Sequence, residues 1–343
     1  MHLSIRERTL ALLNKLPAPI LDGFAHVLFG RALMLCTSCG IFDALQTSRL
    51  SAGEIAERVG LSKRGTEVLL QAMEAGGYIR RDGERYWNSK IAERWLTRAS
   101  PRYVGNLVRY FETLFRRWEF LDETARRGEP QKPYFEYFTD EDWEIYTYGM
   151  MDLARILMPD VLKAVRLPPS ARRLLDIGGS HGLYSIELCR RYPSLTAEVL
   201  DFDKAVRVGK KITEEYGMSD RVTHRVVDFK NDDFGNEYDV VLAFNIVHGL
   251  TPSENSSLLK KTYKAMANDG LLFIMDQMRD GRSGRSLSGL IPAIVGLNLF
   301  NEIGGNAYSI REIQEWCTAA GFVGCRVKKL RAPGVAIVKA QKP

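Results

Sequence analysis

The spacing of apolar residues in the C-terminal half of the chain predicts an open α/β sheet. Leu174 and Leu175 form a short strand-like run, a helical pattern begins at Leu183, and residues 197–200 form a second strand-like run. Strand, turn, helix and strand in this order make half of a doubly wound sheet. The turn has the sequence DIGGSHG (176–182), and its glycines let the backbone pass close to a ligand.

Three further strands are predicted to end in residues able to do chemistry, and a final strand pair after Gly321-Phe322 is predicted to complete the sheet. The run before Asp228 ends in that acid and Phe229, the fully apolar run 238–244 leads to His248, and the run 271–275 ends in Asp276. In an open α/β sheet these carboxyl ends face the ligand crevice. Capping boxes at 251–254 and 309–312 predict helix starts. We also expect a mobile connection at 281–285 and an apolar segment, 287–300, that covers the crevice.

The N-terminal third has a helical pattern followed by a hairpin signal. Apolar spacing over 23–45 predicts a helix or helix pair, Ser51 and Glu54 predict a capping box, and Ser62 predicts a second helix start. Asp82-Gly83 between two strand-like runs completes a predicted winged helix. Residues 51–90 hold seven Lys/Arg against six Asp/Glu. That balance is a poor match for a phosphate-binding surface, so we expect a packing and dimerisation module.

The middle of the chain is helical in pattern and rich in aromatic residues. Pro130 and Pro133 divide it into two blocks, and Pro168-Pro169 ends it. Such residues belong to a core by default, although a stretch like this would also suit the wall of an apolar pocket. The predicted division is therefore a winged-helix dimerisation domain at 1–100, a helical linker and pocket wall at 101–168, and the α/β domain at 169–343.

Composition narrows the class of protein. The 343 residues carry a net charge of +6, spread along the chain, which indicates solubility more than nucleic-acid binding. Cys36 and Cys39 have C-x-x-C spacing but no second pair, so we interpret the five cysteines as buried thiols and expect no metal. Charged residues break up the first 15 positions, and the apolar run 289–300 contains Pro292 and Gly296. We expect a cytoplasmic protein with no membrane segment.

The turn and the strand ends suggest a nucleotide-like ligand and a base. A dinucleotide fingerprint would need glycine at 177, where the chain has Ile. Asp201, 25 residues after Asp176, could accept both hydrogen bonds of a ribose diol. Asp228 and Phe229 could bind an adenine, and they would equally suit an exposed turn. His248 could act as a general base or could be structural.

Aligned by its acid, the turn has the pattern D-x-G-G-x-x-G, which resembles motif I of the class I S-adenosylmethionine-dependent methyltransferases. Over about residues 20–340, the order of winged helix, helical linker, this turn, Asp201, Asp228-Phe229 and N-x-x-H resembles the caffeate- and hydroxyindole-type O-methyltransferases. The resemblance implies S-adenosylmethionine as cofactor, a small-molecule acceptor and a homodimer. It implies these cofactor-binding residues: Asp176, Gly178, Gly179, Gly182, Asp201, Asp228, Phe229 and Asn245.

The resemblance also implies a catalytic set of His248, Asp276 and Glu302, with His248 removing the proton of the acceptor hydroxyl. The chain departs from the family at Ser180, where a third glycine is common, and at Ala307, where a second acid is usual. Glu302 is the substitute that we expect for that acid. The leading hypothesis is methyl transfer to a hydroxyl of a small aromatic or polyketide-like molecule. The alternatives are N- or C-methylation, a diverged cofactor-binding member, and a winged-helix DNA-binding regulator.

Overall fold

The structure is a computed structural model of the chain, and it describes residues 17–279 and 286–343. Two compact units divide the chain between Phe115 and Arg116. The predicted division into 1–100, 101–168 and 169–343 stays a prediction. The expected connection 281–285 and the charged first 15 positions lie outside the described residues.

The N-terminal unit consists of helices and one hairpin in the predicted order. Its elements are α1 (Ala18–Ile20), a π-helical turn (Leu21–His26), α2 (Val27–Ser38), α3 (Ile41–Ala44), α4 (Ala52–Val59), α5 (Lys63–Ala75), β1 (Ile79–Asp82), β2 (Arg85–Asn88) and α6 (Lys90–Trp95). A further helix, α7 (Gly105–Arg117), crosses the unit boundary. Both predicted helix starts are confirmed, because Ser51 and Glu54 form a reciprocal capping box and the Ser62 hydroxyl accepts from the Gly65 N–H. The hairpin strands pair antiparallel.

The first helical run has an exposed apolar face that we did not predict. Within the described ranges, Ala18–Ser38 is the one helical run long and apolar enough to cross a membrane, judged by length and composition alone. Ile20, Phe24, Val27 and Leu28 are all at least 42% exposed. Their spacing of four, three and one residues places them on one side of the helix. At 21 residues this run is longer than the predicted apolar segment 289–300.

The C-terminal unit contains a seven-stranded sheet with helices on both faces. Its strands are β3 (Arg173–Ile177), β4 (Thr196–Asp201), β5 (Val222–Val226), β6 (Tyr238–Phe244), β7 (Met266–Gln277), β8 (Val323–Lys329) and β9 (Val335–Gln341). Its helices are α8 (Leu121–Arg127), α9 (Asp140–Ala164), α10 (Leu183–Arg191), α11 (Asp203–Glu215), α12 (Pro252–Ala265), α13 (Leu287–Ile303) and α14 (Ile310–Ala319). Short 3₁₀ turns cover Trp118–Phe120, Tyr134–Tyr137 and Val247–Gly249.

The strand order is β5-β4-β3-β6-β7-β9-β8. From β3 the chain first adds strands on one side of the sheet (β4, β5) and then crosses to the other side (β6, β7), so the order reverses between β3 and β6. All neighbours pair parallel except β9, which runs antiparallel to β7 and β8. One apolar core packs against each face of this sheet. The carboxyl ends of β3 and β6 meet at the reversal, which is where open α/β sheets bind ligands. The predicted fold class is confirmed, and this edge of the sheet is the place to look for a site.

Candidate active site

The glycine turn after β3 is a tight backbone cradle. Gly178 has φ +68°, and a Cβ there would lie 2.9 Å from the Ile246 Cδ1. A Cβ on Gly179 would lie 2.5 Å from the Asp176 carboxyl carbon. The Ser180 N–H donates to the Asp201 Oδ2 at 2.9 Å, so the acid at the end of β4 holds the turn in place. A side chain at 178 or 179 would therefore displace the side chain of Ile246 or of Asp176.

A cavity of about 40 Å³ opens beside this turn at the sheet reversal. It is lined by Tyr146, Met150, Asp176, Gly178, Gly179, Ser180, His181, Tyr184, Phe244 and Asn245. Four buried polar atoms of these residues have no hydrogen-bond partner in the described part of the chain: Asp176 Oδ1, Ser180 Oγ, Tyr184 OH and Asn245 Oδ1. Buried polar groups are almost always paired in folded proteins. These four atoms leave the cavity with free donors and acceptors that a polar ligand could use.

The two acids of the turn have raised pKa values because they are buried. Burial raises the pKa of Asp176 to about 7; the Ser185 hydroxyl, which donates at 2.7 Å, opposes this shift, and the charge of Asp201 adds to it. Burial raises the pKa of Asp201 to about 6, against the backbone N–H groups of Phe202 and Ser180. A carboxylate has about four acceptor sites, so both acids keep capacity for further donors.

The predicted adenine pair lies at the end of β5. Asp228 is exposed, and its carboxylate accepts from the Lys230 N–H and the Asn231 side chain, which holds its pKa below the usual value. Phe229 meets Phe202 edge to face, with ring centroids 5.3 Å apart. Phe202 follows Asp201 directly. The turn role of Asp228 is therefore observed, and its adenine role stays a prediction.

His248 and Asp276, predicted from two different strand ends, lie side by side. The His248 Nδ1 is 2.6 Å from the Asp276 Oδ1. The same oxygen accepts from the Gln277 N–H at 2.8 Å, and Oδ2 accepts from the backbone N–H of His248 at 3.3 Å. Asp276 is buried, whereas the His248 side chain keeps 17% of its surface exposed. The pair therefore has one buried and fixed member and one member accessible to a ligand.

Glu302, the third predicted catalytic residue, does not bond to this pair. It is buried on α13, and its Oε2 accepts from the Asn298 Nδ2 at 2.9 Å. Its Oε1 has no partner among the described residues. Burial raises its pKa to about 8, although the Asn298 hydrogen bond and the charge of Arg117 oppose this shift. A role for Glu302 in orienting His248 stays untested.

Comparison with known proteins decides the family. A family model described as "O-methyltransferase domain" matches residues 121–323, and one described as "O-methyltransferase dimerisation domain" matches residues 21–98. The chain belongs to the O-methyltransferase family. A "3-hydroxy-5-methyl-1-naphthoate 3-O-methyltransferase" from Streptomyces sahachiroi is 27% identical over 325 residues, which cover 90% of this chain and 92% of the relative.

Other members of the O-methyltransferase family extend the comparison. An "L-tyrosine C(3)-methyltransferase" from Streptomyces lavendulae is 25% identical over 334 residues, covering 92% of this chain and 91% of the relative. The crystal structure of human N-acetylserotonin methyltransferase in complex with S-adenosylmethionine has a TM-score of 0.85 at 22% identity, covering 99% of both chains. The latter likeness shows the shared fold. The predicted enzyme class and the cofactor S-adenosylmethionine are confirmed by the family.

The residues of this O-methyltransferase fit that cofactor. Its amino acid end carries an ammonium and a carboxylate, and the unpaired atoms of the cavity include both acceptors and hydroxyl donors. Sequence reasoning included Tyr146 and Met150 within an aromatic stretch but did not single them out. It missed Tyr184 altogether, because this residue sits in an ordinary helical pattern. It also missed His224, a buried histidine whose Nε2 would lie 3.1 Å from a Cβ on Gly182.

Proposed function

We propose that this protein transfers a methyl group from S-adenosylmethionine to a hydroxyl of a small aromatic or polyketide-like molecule, with His248 as general base. The observation that carries this proposal is the 2.6 Å contact between His248 and the buried Asp276 at the ligand edge of the sheet. The relative from Streptomyces sahachiroi, named for a hydroxynaphthoate, supports an aromatic acceptor.

The cofactor would be held by the turn and by the strand ends next to it. Gly178, Gly179 and Gly182 would let the cofactor approach the backbone, and Asp201 would accept from its ribose. Asp228 and Phe229 would contact its adenine. Asp176 and Asn245, which line the cavity with unpaired oxygens, would accept from its ammonium. These assignments are consistent with one continuous edge formed by β3, β4, β5 and β6.

The hydrogen bonds of His248 leave one ring nitrogen available for catalysis. A carboxylate can only accept, so the short contact with Asp276 places the imidazole proton on Nδ1 and the lone pair on Nε2. Nε2 can then take the proton of an acceptor hydroxyl as its oxygen becomes the nucleophile. Asp276 stabilises the imidazolium that forms. Bound S-adenosylmethionine supplies an activated methyl group, so the protein mainly positions the reactants and excludes water.

Transfer of labelled methyl from S-adenosylmethionine to a panel of phenols, amines and activated carbons tests the proposal. We expect label in a phenolic product, and we expect His248→Ala to lower kcat about 10²- to 10⁴-fold, the range for loss of a general base. The affinity for S-adenosylhomocysteine should stay unchanged. The matched control is His26→Ala, at a 49% exposed histidine in the N-terminal unit. Normal turnover by the His248 variant would remove this residue from the mechanism.

One observation favours a second function within the same fold. A relative named for methylation of a carbon of L-tyrosine matches more than 90% of this chain. The second acid that the resemblance implies is also replaced here by Ala307. N- or C-methylation is therefore the alternative. Label in an amine or at carbon, with none in phenols, would establish it. Binding of S-adenosylhomocysteine without label in any acceptor would favour a diverged member.

We further infer a homodimer. The dimerisation-domain match covers residues 21–98, which include most of the exposed apolar face formed by Ile20, Phe24, Val27 and Leu28. Contiguous exposed apolar surface usually marks an interaction site. A second copy of the chain would bury this face. The cytoplasmic location and the absence of nucleic-acid and membrane partners stay predictions.

A further inference from the structure

A directed chain of hydrogen bonds holds Glu302 in one position on the inner side of α13. The Trp118 indole N–H donates to the Asn298 Oδ1 at 2.7 Å, and the Asn298 Nδ2 donates to the Glu302 Oε2 at 2.9 Å. The neighbouring Asn301 ties the same helix to the backbone carbonyl of Arg117 at 3.2 Å. An indole can only donate, so it fixes which way the Asn298 amide faces. Glu302 is therefore presented with one oxygen satisfied and the other open.

The open oxygen is costly unless something pairs with it. Glu302 is 3% exposed, and its Oε1 has no hydrogen-bond partner among the described residues. A buried polar group left unpaired costs about 1–3 kcal/mol. Because burial raises the pKa of Glu302 to about 8, the carboxyl is mostly protonated at neutral pH. Oε2 is occupied as an acceptor, so Oε1 is the oxygen that can carry an O–H for donation.

The helix end that carries this carboxyl packs against the turn that carries the proposed base. Ile303, the next residue, packs so close to Gly249 that a Cβ there would be 3.1 Å from the Ile303 Cδ1. Just beyond the helix, the Asn306 N–H donates to the backbone carbonyl of His248 at 2.9 Å. The end of α13 is thus bonded to the His248 turn. An acceptor bound at His248 would therefore be within reach of residues on this helix end.

We propose that Glu302 is a specificity-determining residue for the acceptor, and that its Oε1 donates a hydrogen bond to a carbonyl oxygen of a hydroxylated aromatic substrate. The inference rests on the proposed function, because it assumes that the ligand is the methyl acceptor. A cationic substrate is disfavoured, since the positive charge of Arg117 already acts on Glu302. Arg117 is itself stacked over Tyr137, 4.3 Å from the ring centroid.

Binding of two matched probes tests this inference without any methyl transfer. The probes are 6-acetyl-2-methoxynaphthalene and 2-methoxynaphthalene, which differ in the carbonyl and do not ionise. With saturating S-adenosylhomocysteine, calorimetry on the wild type should give about tenfold tighter binding of the ketone, as expected for one hydrogen bond of about 1.4 kcal/mol. Glu302→Gln keeps an N–H donor and should keep the preference within about threefold. Glu302→Leu should abolish it.

The pH dependence of ketone binding shows whether Glu302 binds as a neutral carboxylic acid or as a carboxylate. Wild-type affinity for the ketone should fall as the pH rises through about 8, where Glu302 loses its proton. Glu302→Gln should not show this fall. Arg117, whose charge acts on Glu302, and the His248–Asp276 pair, on a turn and a strand packed against α13, are all unchanged in the variant, so the difference isolates Glu302. Glu315→Gln, at a 59% exposed position on α14, is the matched control.

Three results would overturn the inference: equal affinity for both probes, a preference that survives Glu302→Leu, or a preference lost in Glu302→Gln. Tighter binding of 6-aminomethyl-2-methoxynaphthalene, lost in Glu302→Gln, would assign the residue to a cation instead. A missing ketone preference in a protein that methylates phenols would leave the proposed function intact. A clear ketone preference in a protein that methylates no phenol would support the role of Glu302 and contradict the proposed function.

Discussion

The substitution Asp276→Asn probes the proposed base with the smallest change of shape. Asp276 accepts three N–H groups: the His248 Nδ1, the His248 backbone and the Gln277 backbone. An asparagine has one oxygen and one NH₂ group in the same space. If its oxygen faces Nδ1, its NH₂ faces the His248 backbone N–H. If the amide flips, its NH₂ faces both Nδ1 and the Gln277 N–H. In either orientation a donor meets a donor.

The magnitude follows from the bond that is lost. The 2.6 Å contact is the stronger of the two contacts with His248, and a hydrogen bond to a charged group contributes about 1.5–3 kcal/mol. If the bond strengthens as the imidazolium forms, its loss raises the barrier by that amount. At 1.36 kcal/mol per factor of ten, kcat should fall about 10- to 150-fold. A flipped amide would also favour the wrong imidazole tautomer and increase the loss.

The assay is initial-rate methyl transfer to the best acceptor from the panel, with S-adenosylhomocysteine affinity measured by calorimetry as the check on folding. The matched control is Asp269→Asn on the same strand, an exposed position with φ +61° that asparagine tolerates well. That control should keep full activity. If Asp276→Asn turned over at the wild-type rate, the carboxylate would have no part in catalysis and the assignment of His248 as base would lose its main support.

Two further predictions concern the buried polar groups. Burial raises the pKa values of the acids Asp176, Asp201 and Glu302 (to about 7, 6 and 8) and lowers those of His181 and His224 (to about 3 and 4). The folded protein binds more protons at the acids than the unfolded chain does, so their contribution to stability is present at low pH and is lost between about pH 4 and 8. At the histidines the folded protein binds fewer protons than the unfolded chain, so their contribution to stability grows as the pH rises, but only up to about pH 6.5. The Tm of the cofactor-free protein should therefore fall between pH 6.5 and 8.5, and a flat or rising Tm would contradict these shifts. Second, Tyr184→Phe should lower the affinity for S-adenosylhomocysteine about 2- to 13-fold, which corresponds to the loss of one hydrogen bond. The affinity for 5′-methylthioadenosine, which lacks the amino acid end, should stay unchanged. Equal losses in calorimetry would place the Tyr184 hydroxyl elsewhere.

Local signals in the sequence predicted the capped helix starts correctly and came close to the strand ends, although β5 stops at Val226 and β7 continues to Gln277. The capping boxes at Ser51, Thr251 and Ser309 are all present, because a cap depends on residues three apart. The meeting of His248 with Asp276 was predictable for a related reason. Both follow strands whose carboxyl ends share one edge, and β6 and β7 are neighbours. The strand and helix periodicities of apolar residues, two and 3.6 residues, were therefore enough to predict that these two side chains meet.

The partners of Glu302 show where this reasoning stops. Asn298 lies four residues earlier on the same helix, a spacing visible in the sequence. Trp118, which orients Asn298, is 180 residues away, and no local pattern connects the two. The expectation that Glu302 replaces the family's second acid rested on proximity along the chain. The direction of a side chain depends on such distant partners, and only the folded structure supplies them.

The backbone beside the cavity is strained at two residues, which the composition of the chain does not reveal. Four non-glycine residues in the described chain have positive φ, and two of them, Ser180 (φ +41°) and Asn245 (φ +53°), line the cavity. A left-handed conformation costs a serine roughly 1–2 kcal/mol that glycine would not pay. The Asp201 hydrogen bond to the Ser180 N–H offsets part of this. Both side chains also leave a buried oxygen unpaired. Strain and unpaired polar atoms at the same two residues have a common explanation if a ligand satisfies them. The hydroxyl of Ser180, where the resemblance implies a third glycine, would then bond to the cofactor and offset the backbone strain.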